Sequence, residues 1–231
     1  MNVAIVESGI AAVIFALVFV AGGWAVALRK QRIDPHIITS FSAGMASAYV
    51  FVYAMPELSH LQGELGAIVY YVALIGFLTF YGFNELGVRF LKRDIDAHQR
   101  AYRLGVGGFA LYVWLVAYLL VHEAESTKAE TLYTAALAVH FLTVDNTLRE
   151  EHGEPYHRRG RFLLAAMAII GWLSGVFIHL GPHTVALITA FVAGAVIVNS
   201  TIEELPGERQ GRFVPFLLGG LVYGGILLGL A

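Results

Sequence analysis

The sequence predicts an all-α polytopic membrane protein: eight transmembrane helices in a 3+2+3 inverted-repeat bundle, with both termini outside. Three observations predict it. The 231 residues are 58% hydrophobic and only 14% charged, whereas a soluble domain carries about 25% charged residues. Lys and Arg fall almost entirely in alternate connections between apolar runs. A spaced pattern, F-x-A-G followed by eleven residues and a proline, occurs at Phe41–Pro56 and again at Phe191–Pro206.

The apolar runs set the elements. A helix needs roughly 20 mostly apolar residues to cross the hydrocarbon core. By that rule the spans fall at about 8–28, 37–57, 66–91, 104–122, 131–148, 162–180, 184–202 and 213–230. The N-terminal MNVAIVESGIAAVIF has no basic n-region and carries Glu7, so the first run reads as a retained helix and not a cleaved signal peptide. The third run is long enough to end in a cytoplasmic extension. The sixth and seventh are separated by a tight LGPH turn and are expected to form a hairpin. The connections are short, which leaves one transmembrane domain over 1–231: repeat one at about 8–91, central helices at about 104–148, repeat two at about 162–230.

Orientation follows from charge. Arg29, Lys30 and Arg32 follow the first helix, and Arg89, Lys92, Arg93, Arg100 and Arg103 follow the third. Arg149, Arg158, Arg159 and Arg161 follow the fifth; Arg209 and Arg212 follow the seventh. The even-numbered connections hold only Lys128. The positive-inside rule places the odd connections in the cytoplasm and both termini outside, as expected for a bacterial inner membrane.

The repeat has a direction. Phe41/Phe191, Ala43/Ala193, Gly44/Gly194 and Pro56/Pro206 share one offset of 150 positions. The second predicted helix runs inside to outside and the seventh runs back, so related elements of opposite direction imply an inverted repeat. Small residues also let helices pack closely without any repeat. Gly220, Gly224, Gly225 and Gly229 form small-xxx-small pairs in the last helix, a packing face that a homodimer could use.

Composition excludes several functions. No cysteine is present, so disulfides and thiolate metal sites are out. There is no basic stripe for nucleic acid, no nucleophile elbow, no P-loop and no H-E-x-x-H, so no enzyme is expected. The bilayer is the expected partner, and HGEPYHRRGR (152–161) is a basic segment placed to meet anionic lipid.

The polar residues within the apolar runs are then the candidates. His140 lies about nine residues from either end of the fifth span, and an ionisable group at that depth marks a functional site by default. The alternative is a neutral histidine bonded to a neighbouring helix, with Tyr112 or Tyr118 as partner. Asp145 lies five residues on, about 140° around a regular helix, so the two do not share one small ion unless the helix kinks. Asp145 faces Arg149 and Asn146 faces Glu150 at i+4, as a charged helix end would. With Asn199, Glu203, Glu204, Asn84 and Glu85 they form either a cation exit or a set of solvated helix ends. Near the outer ends, Glu57, His60, His122, Glu123, His179 and His183 could attract divalent cations or simply be solvated.

Eight helices, outside termini and the 3+2+3 arrangement together resemble the ZIP family of divalent-metal transporters. The stretches that carry the resemblance are SFSAGMASAYVFVYAMPEL (40–58), AFVAGAVIVNSTIEELP (190–206) and FLLGGLVYGGILLGLA (216–231), similar to that family's second, seventh and eighth helices. The resemblance implies a ZIP-like bundle that moves zinc, iron or manganese through oxygen and nitrogen donors on its two central helices. In the family those helices carry H-N-x-x-D/E-G and H-E-x-P-H/E. Here the interior of the fourth helix, LGVGGFALYVWLVAYLLVH, has no such donors. The fifth keeps His140, followed by Phe141, Thr143 and Val144 at the other motif positions, with Asp145 one beyond. The resemblance therefore implies the fold, and a degenerate metal site at His140 and Asp145. Two functions are expected from it: a divalent-cation transporter with an altered site, or a protein of the same fold serving protons, another solute or a structural or sensing role.

Overall fold

The computed structural model describes residues 3–29, 35–91, 95–122, 127–202 and 212–229. Glu123, Glu203, Glu204 and Pro206 lie outside them. The described residues are helical almost throughout, with no strand: α1 (Val3–Arg29), α2 (Pro35–Tyr49), α3 (Met55–Leu65), α4 (Ile68–Leu91), α5 (Ile95–Leu119), α6 (Thr127–Pro155), α7 (Arg161–Phe177), α8 (Pro182–Ile202) and α9 (Phe213–Leu228). Single π turns join α2 to α3 (Val50–Ala54) and α6 to α7 (Tyr156–Gly160).

Among the described residues, five stretches are long and apolar enough to cross a membrane: Ile5–Gly23, Ile68–Gly87, His98–Leu119, Thr134–Phe177 and Pro182–Asn199. α9 is apolar over a shorter length. Their outward faces are apolar too. α4 exposes Tyr71, Leu74 and Leu78, and α9 exposes Phe213, Leu221 and Leu228. A soluble chain rarely exposes so much apolar surface, whereas lipid is as apolar as leucine and accepts it. The chain is a helical integral membrane protein.

Two local features depart from the expected boundaries. The second predicted span stops at about 57, beside Pro56. Instead the helix absorbs the proline and runs on to Leu65. Proline removes a donor and clashes with the carbonyl four residues back. The π turn just before it relieves this, with the Met55 amide donating to Val50 O five residues back. Gly66, at φ 76°, then ends α3.

The second departure is at Gly153. The 44-residue apolar stretch Thr134–Phe177 is not one rod, because Gly153 sits at φ 54°, ψ −129°. Only glycine takes that backbone conformation without strain. The chain folds back there: the Tyr156 hydroxyl reaches the Asp145 side chain, although eleven residues of straight helix would span about 16 Å.

The chain divides into two compact units: Met1–Gly23 with Thr79–Val185, and Trp24–Leu78 with Ala186–Ala231. In the first unit, aromatic rings from four helices pack together. Phe141 of α6 meets Phe15 edge-on at 4.9 Å and Phe19 at 5.3 Å, both from α1. Tyr112 of α5 meets Phe141 at 6.0 Å and Phe80 of α4 at 5.8 Å. α5 and α7 approach closely because α7 carries a G-x-x-x-G pair. A β-carbon added at Gly171 would lie 2.4 Å from Trp114 O, and one at Gly175 would lie 2.7 Å from Tyr118 O. Trp114 then donates its indole N–H to Ser174 Oγ at 3.2 Å.

The second unit contains two backbone-to-backbone crossings. At α2–α9, a β-carbon on Gly44 would lie 2.0 Å from Phe216 O, and one on Gly219 would lie 2.1 Å from Phe41 O. At α4–α8, a β-carbon on Gly194 would lie 1.9 Å from Ala73 O, and one on Gly76 would lie 2.0 Å from Phe191 O. Each crossing is thus reciprocal and uses one Phe–Gly pair of the F-x-A-G pattern. Gly220 and Gly224 lie against Gly44 and Ala48 of the same chain, while Gly225 meets no other element.

Candidate functional site

His140 and Asp145 are buried ionisable side chains of α6 that point at different neighbours. His140 is 9% exposed and faces α5, where its ring meets the Tyr112 ring edge-on at 6.0 Å. Phe141 flanks it at 5.8 Å. Of the two tyrosines expected beside it, Tyr112 is the neighbour; Tyr118 donates its hydroxyl to Ile178 O at 3.1 Å.

Asp145 is fully buried and surrounded by donors. The Arg149 guanidinium donates from one nitrogen to both carboxylate oxygens, at 3.0 and 2.8 Å. Tyr156 donates its hydroxyl at 2.7 Å. The expected i+4 pair is therefore present, and Asn146 likewise donates to Glu150 at 3.1 Å. Asp145 is not a solvated helix end, however: Arg149 is 18% exposed and Asp145 is 0% exposed at the side chain.

α1 makes room for this pair. A β-carbon on Gly22 would lie 2.6 Å from Asp145 Oδ2, and one on Gly23 would lie 2.8 Å from the Arg149 guanidinium carbon. On the other side the Arg149 guanidinium lies within 2.9 Å of His157 Nδ1 and 5.7 Å from the Tyr156 ring centre. Arg161, at the start of α7, donates to Val20 O of α1 at 3.2 Å. One carboxylate thus ties together α1, α6 and the turn into α7. A buried ion pair needs partners for its remaining lone pairs and donors; the Tyr156 hydroxyl and His157 supply two of them, while Arg149 Nε has none among the described residues.

Sequence reading identified Asp145 and Arg149 but missed Tyr156, His157, Gly22 and Gly23. The Gly-Gly step in AGGW (21–24) was the available signal, since paired glycines in an apolar helix mark a close approach. Nothing local marks Tyr156, because its role depends on the reversal at Gly153.

The remaining candidates fall in both units. Glu85 is half-buried on α4 in the first unit. Asn199, on α8 in the second unit, is 5% exposed, and its Nδ2 has no partner among the described residues. Among the outer candidates, Glu57 and His60 lie on α3, with His60 exposed. His179 is exposed within the α7–α8 connection, His183 is exposed in the first turn of α8, and His122 is partly buried just past α5. Among the described residues no three His, Asp or Glu side chains converge as a metal-ligand set.

No family model matches the chain, and no curated protein matches its sequence.

Proposed function

We propose that this chain is an integral membrane transport protein of ZIP-like 3+2+3 arrangement that moves a divalent cation of the zinc, iron or manganese class through a degenerate site. The observation that carries this reading is the burial of His140 and Asp145 within a stretch apolar enough to cross a membrane. Ionisable groups are costly there and are kept for ion pathways and proton relays. Supporting the inverted repeat, Phe41 and Gly44 serve the α2–α9 crossing as Phe191 and Gly194 serve the α4–α8 crossing, at the same 150-position offset. The charge alternation supports eight spans, external termini and a bacterial inner membrane. A homodimer would use Gly225 on α9, where an added β-carbon would meet nothing within 4 Å among the described residues.

Uptake into proteoliposomes tests the reading. Zinc, iron or manganese uptake above empty vesicles, reduced by His140→Ala and by Asp145→Asn, is the expected result. Uptake no greater than that of empty vesicles for all three ions overturns it.

One observation favours a second reading, a membrane protein of the same fold that carries no metal. The Asp145 carboxylate is already occupied by Arg149 and Tyr156, which leaves little of it for a cation. In that reading His140 relays protons. A proton flux that depends on pH and disappears in His140→Ala supports it; an unchanged flux in that variant excludes it.

A further inference from the structure

α7 leaves one face uncovered. Phe162, Leu163, Ala166, Ile170, Leu173 and Phe177 are all exposed. At 3.6 residues per turn they fall in one stripe about 100° wide, which runs about 22 Å along the helix. Half of a bilayer core is roughly 15 Å deep, so the stripe is long enough to hold an acyl chain of one leaflet. Arg159 heads this stripe. It stands three and four residues before Phe162 and Leu163, in the π turn that runs into α7, and so shares their face. The Cα–Cβ bonds of a helix tilt toward its N-terminus, so Arg159 leans away from the apolar residues. It is exposed, and it has no hydrogen bond or ion pair with a described residue. The other basic groups of the turn are engaged. Arg158 donates to Glu154, and His157 Nδ1 lies 2.9 Å from the Arg149 guanidinium. Arg161 donates to Val20 O at 3.2 Å, and its guanidinium lies 4.6 Å from the Phe162 ring centre.

We propose that Arg159 and the exposed stripe of α7 form a binding site for one anionic phospholipid, with its phosphate on the Arg159 guanidinium and an acyl chain along the stripe. The occupant follows from charge and shape together. A guanidinium offers N–H donors in a planar fork that matches a phosphate, and it keeps its charge at every working pH. Glu154, the carboxylate within reach of this turn, is already bound by Arg158. An unpaired cation joined directly to an apolar stripe complements a molecule with an anionic head and an apolar tail. A soluble phosphate matches only the head. The stripe alone accepts any lipid, so the cation is what selects. The sequence marks the whole segment 152–161 as basic; the hydrogen bonds of the folded chain narrow it to one arginine.

The site rests on the chain being a helical membrane protein and not on the transport reading. Native mass spectrometry of the full chain, delipidated in a non-ionic detergent, counts bound lipid without any flux. Phosphatidylglycerol is expected to bind more tightly than phosphatidylcholine of the same chain length. Arg159→Gln is expected to weaken phosphatidylglycerol by roughly fivefold or more, the loss of one basic residue's attraction to anionic lipid, and to leave phosphatidylcholine unchanged. Arg159 is exposed, so the variant is expected to fold. Arg212→Gln makes the same charge change in the other unit and is expected to keep the site. Phosphatidylglycerol bound no better than phosphatidylcholine overturns the proposal. So do equal losses from Arg159→Gln and Arg212→Gln, which describe net charge and not a site. Displacement of the lipid by inorganic phosphate also overturns it, because the ligand is then phosphate alone.

Discussion

Tyr156 donates a 2.7 Å hydrogen bond to Asp145, eleven residues earlier in the chain, and so closes the shell of a carboxylate that Arg149 already binds. The bond joins a helix to the turn that reverses it. It makes the polar pair part of how α6 and α7 are connected.

Breaking the pair at either side exposes its cost. Asp145→Ala leaves a mostly buried guanidinium without its anion and is expected to destabilise by about 3–5 kcal/mol. Tyr156→Phe removes one bond to a charged acceptor and is expected to cost about 1.5–3 kcal/mol. Unfolding in detergent, run as a double-mutant cycle, should show coupling between the two positions; strictly additive losses would contradict the shared shell.

The two glycine crossings in the second unit predict matched effects. Gly44→Ala and Gly194→Ala each place a methyl within van der Waals overlap of backbone and should destabilise by about 1–3 kcal/mol. Gly82→Ala and Gly107→Ala meet nothing within 4 Å and should stabilise their helices by about 0.5–1 kcal/mol. Melting temperatures in one detergent should separate the pairs by sign.

Gly153→Ala forces a side chain into a left-handed turn and should cost about 1–2 kcal/mol. The strain falls on the reversal that delivers Tyr156, so protection of Arg149 and Tyr156 amides in hydrogen exchange should fall with it. Unchanged protection would mean the turn is not what holds Tyr156 in place.

The absence of native cysteine makes the proposed orientation directly readable. Lys128→Cys should react with a membrane-impermeant maleimide added outside intact cells, and Arg100→Cys should react only after lysis. The opposite pattern inverts the topology.

Much of this molecule was legible in its residues. Apolar length located the long apolar helices but not α3, because crossing hydrocarbon is a demand on a contiguous stretch. Helical spacing located Asp145–Arg149 and Asn146–Glu150, because i+4 neighbours meet within one helix whatever surrounds it. The continuation through Pro56 was not legible, since a π turn five residues long relieves a clash that sequence rules treat as a stop. Nor was the depth of Asp145. Its i+4 partner suggested a wet helix end, and only the glycines of α1 and the returning Tyr156 remove it from solvent.

The sequence by itself determined a helical membrane chain, the placement of its apolar segments, and the ion pair within α6, since hydrophobic length and a 3.6-residue period act locally. The tertiary structure alone decided that Tyr112 and not Tyr118 faces His140, and that Tyr156 completes the Asp145 shell. Those contacts depend on where backbones approach and where the chain turns back, and close approach through glycine leaves no periodic signal for a sequence to carry.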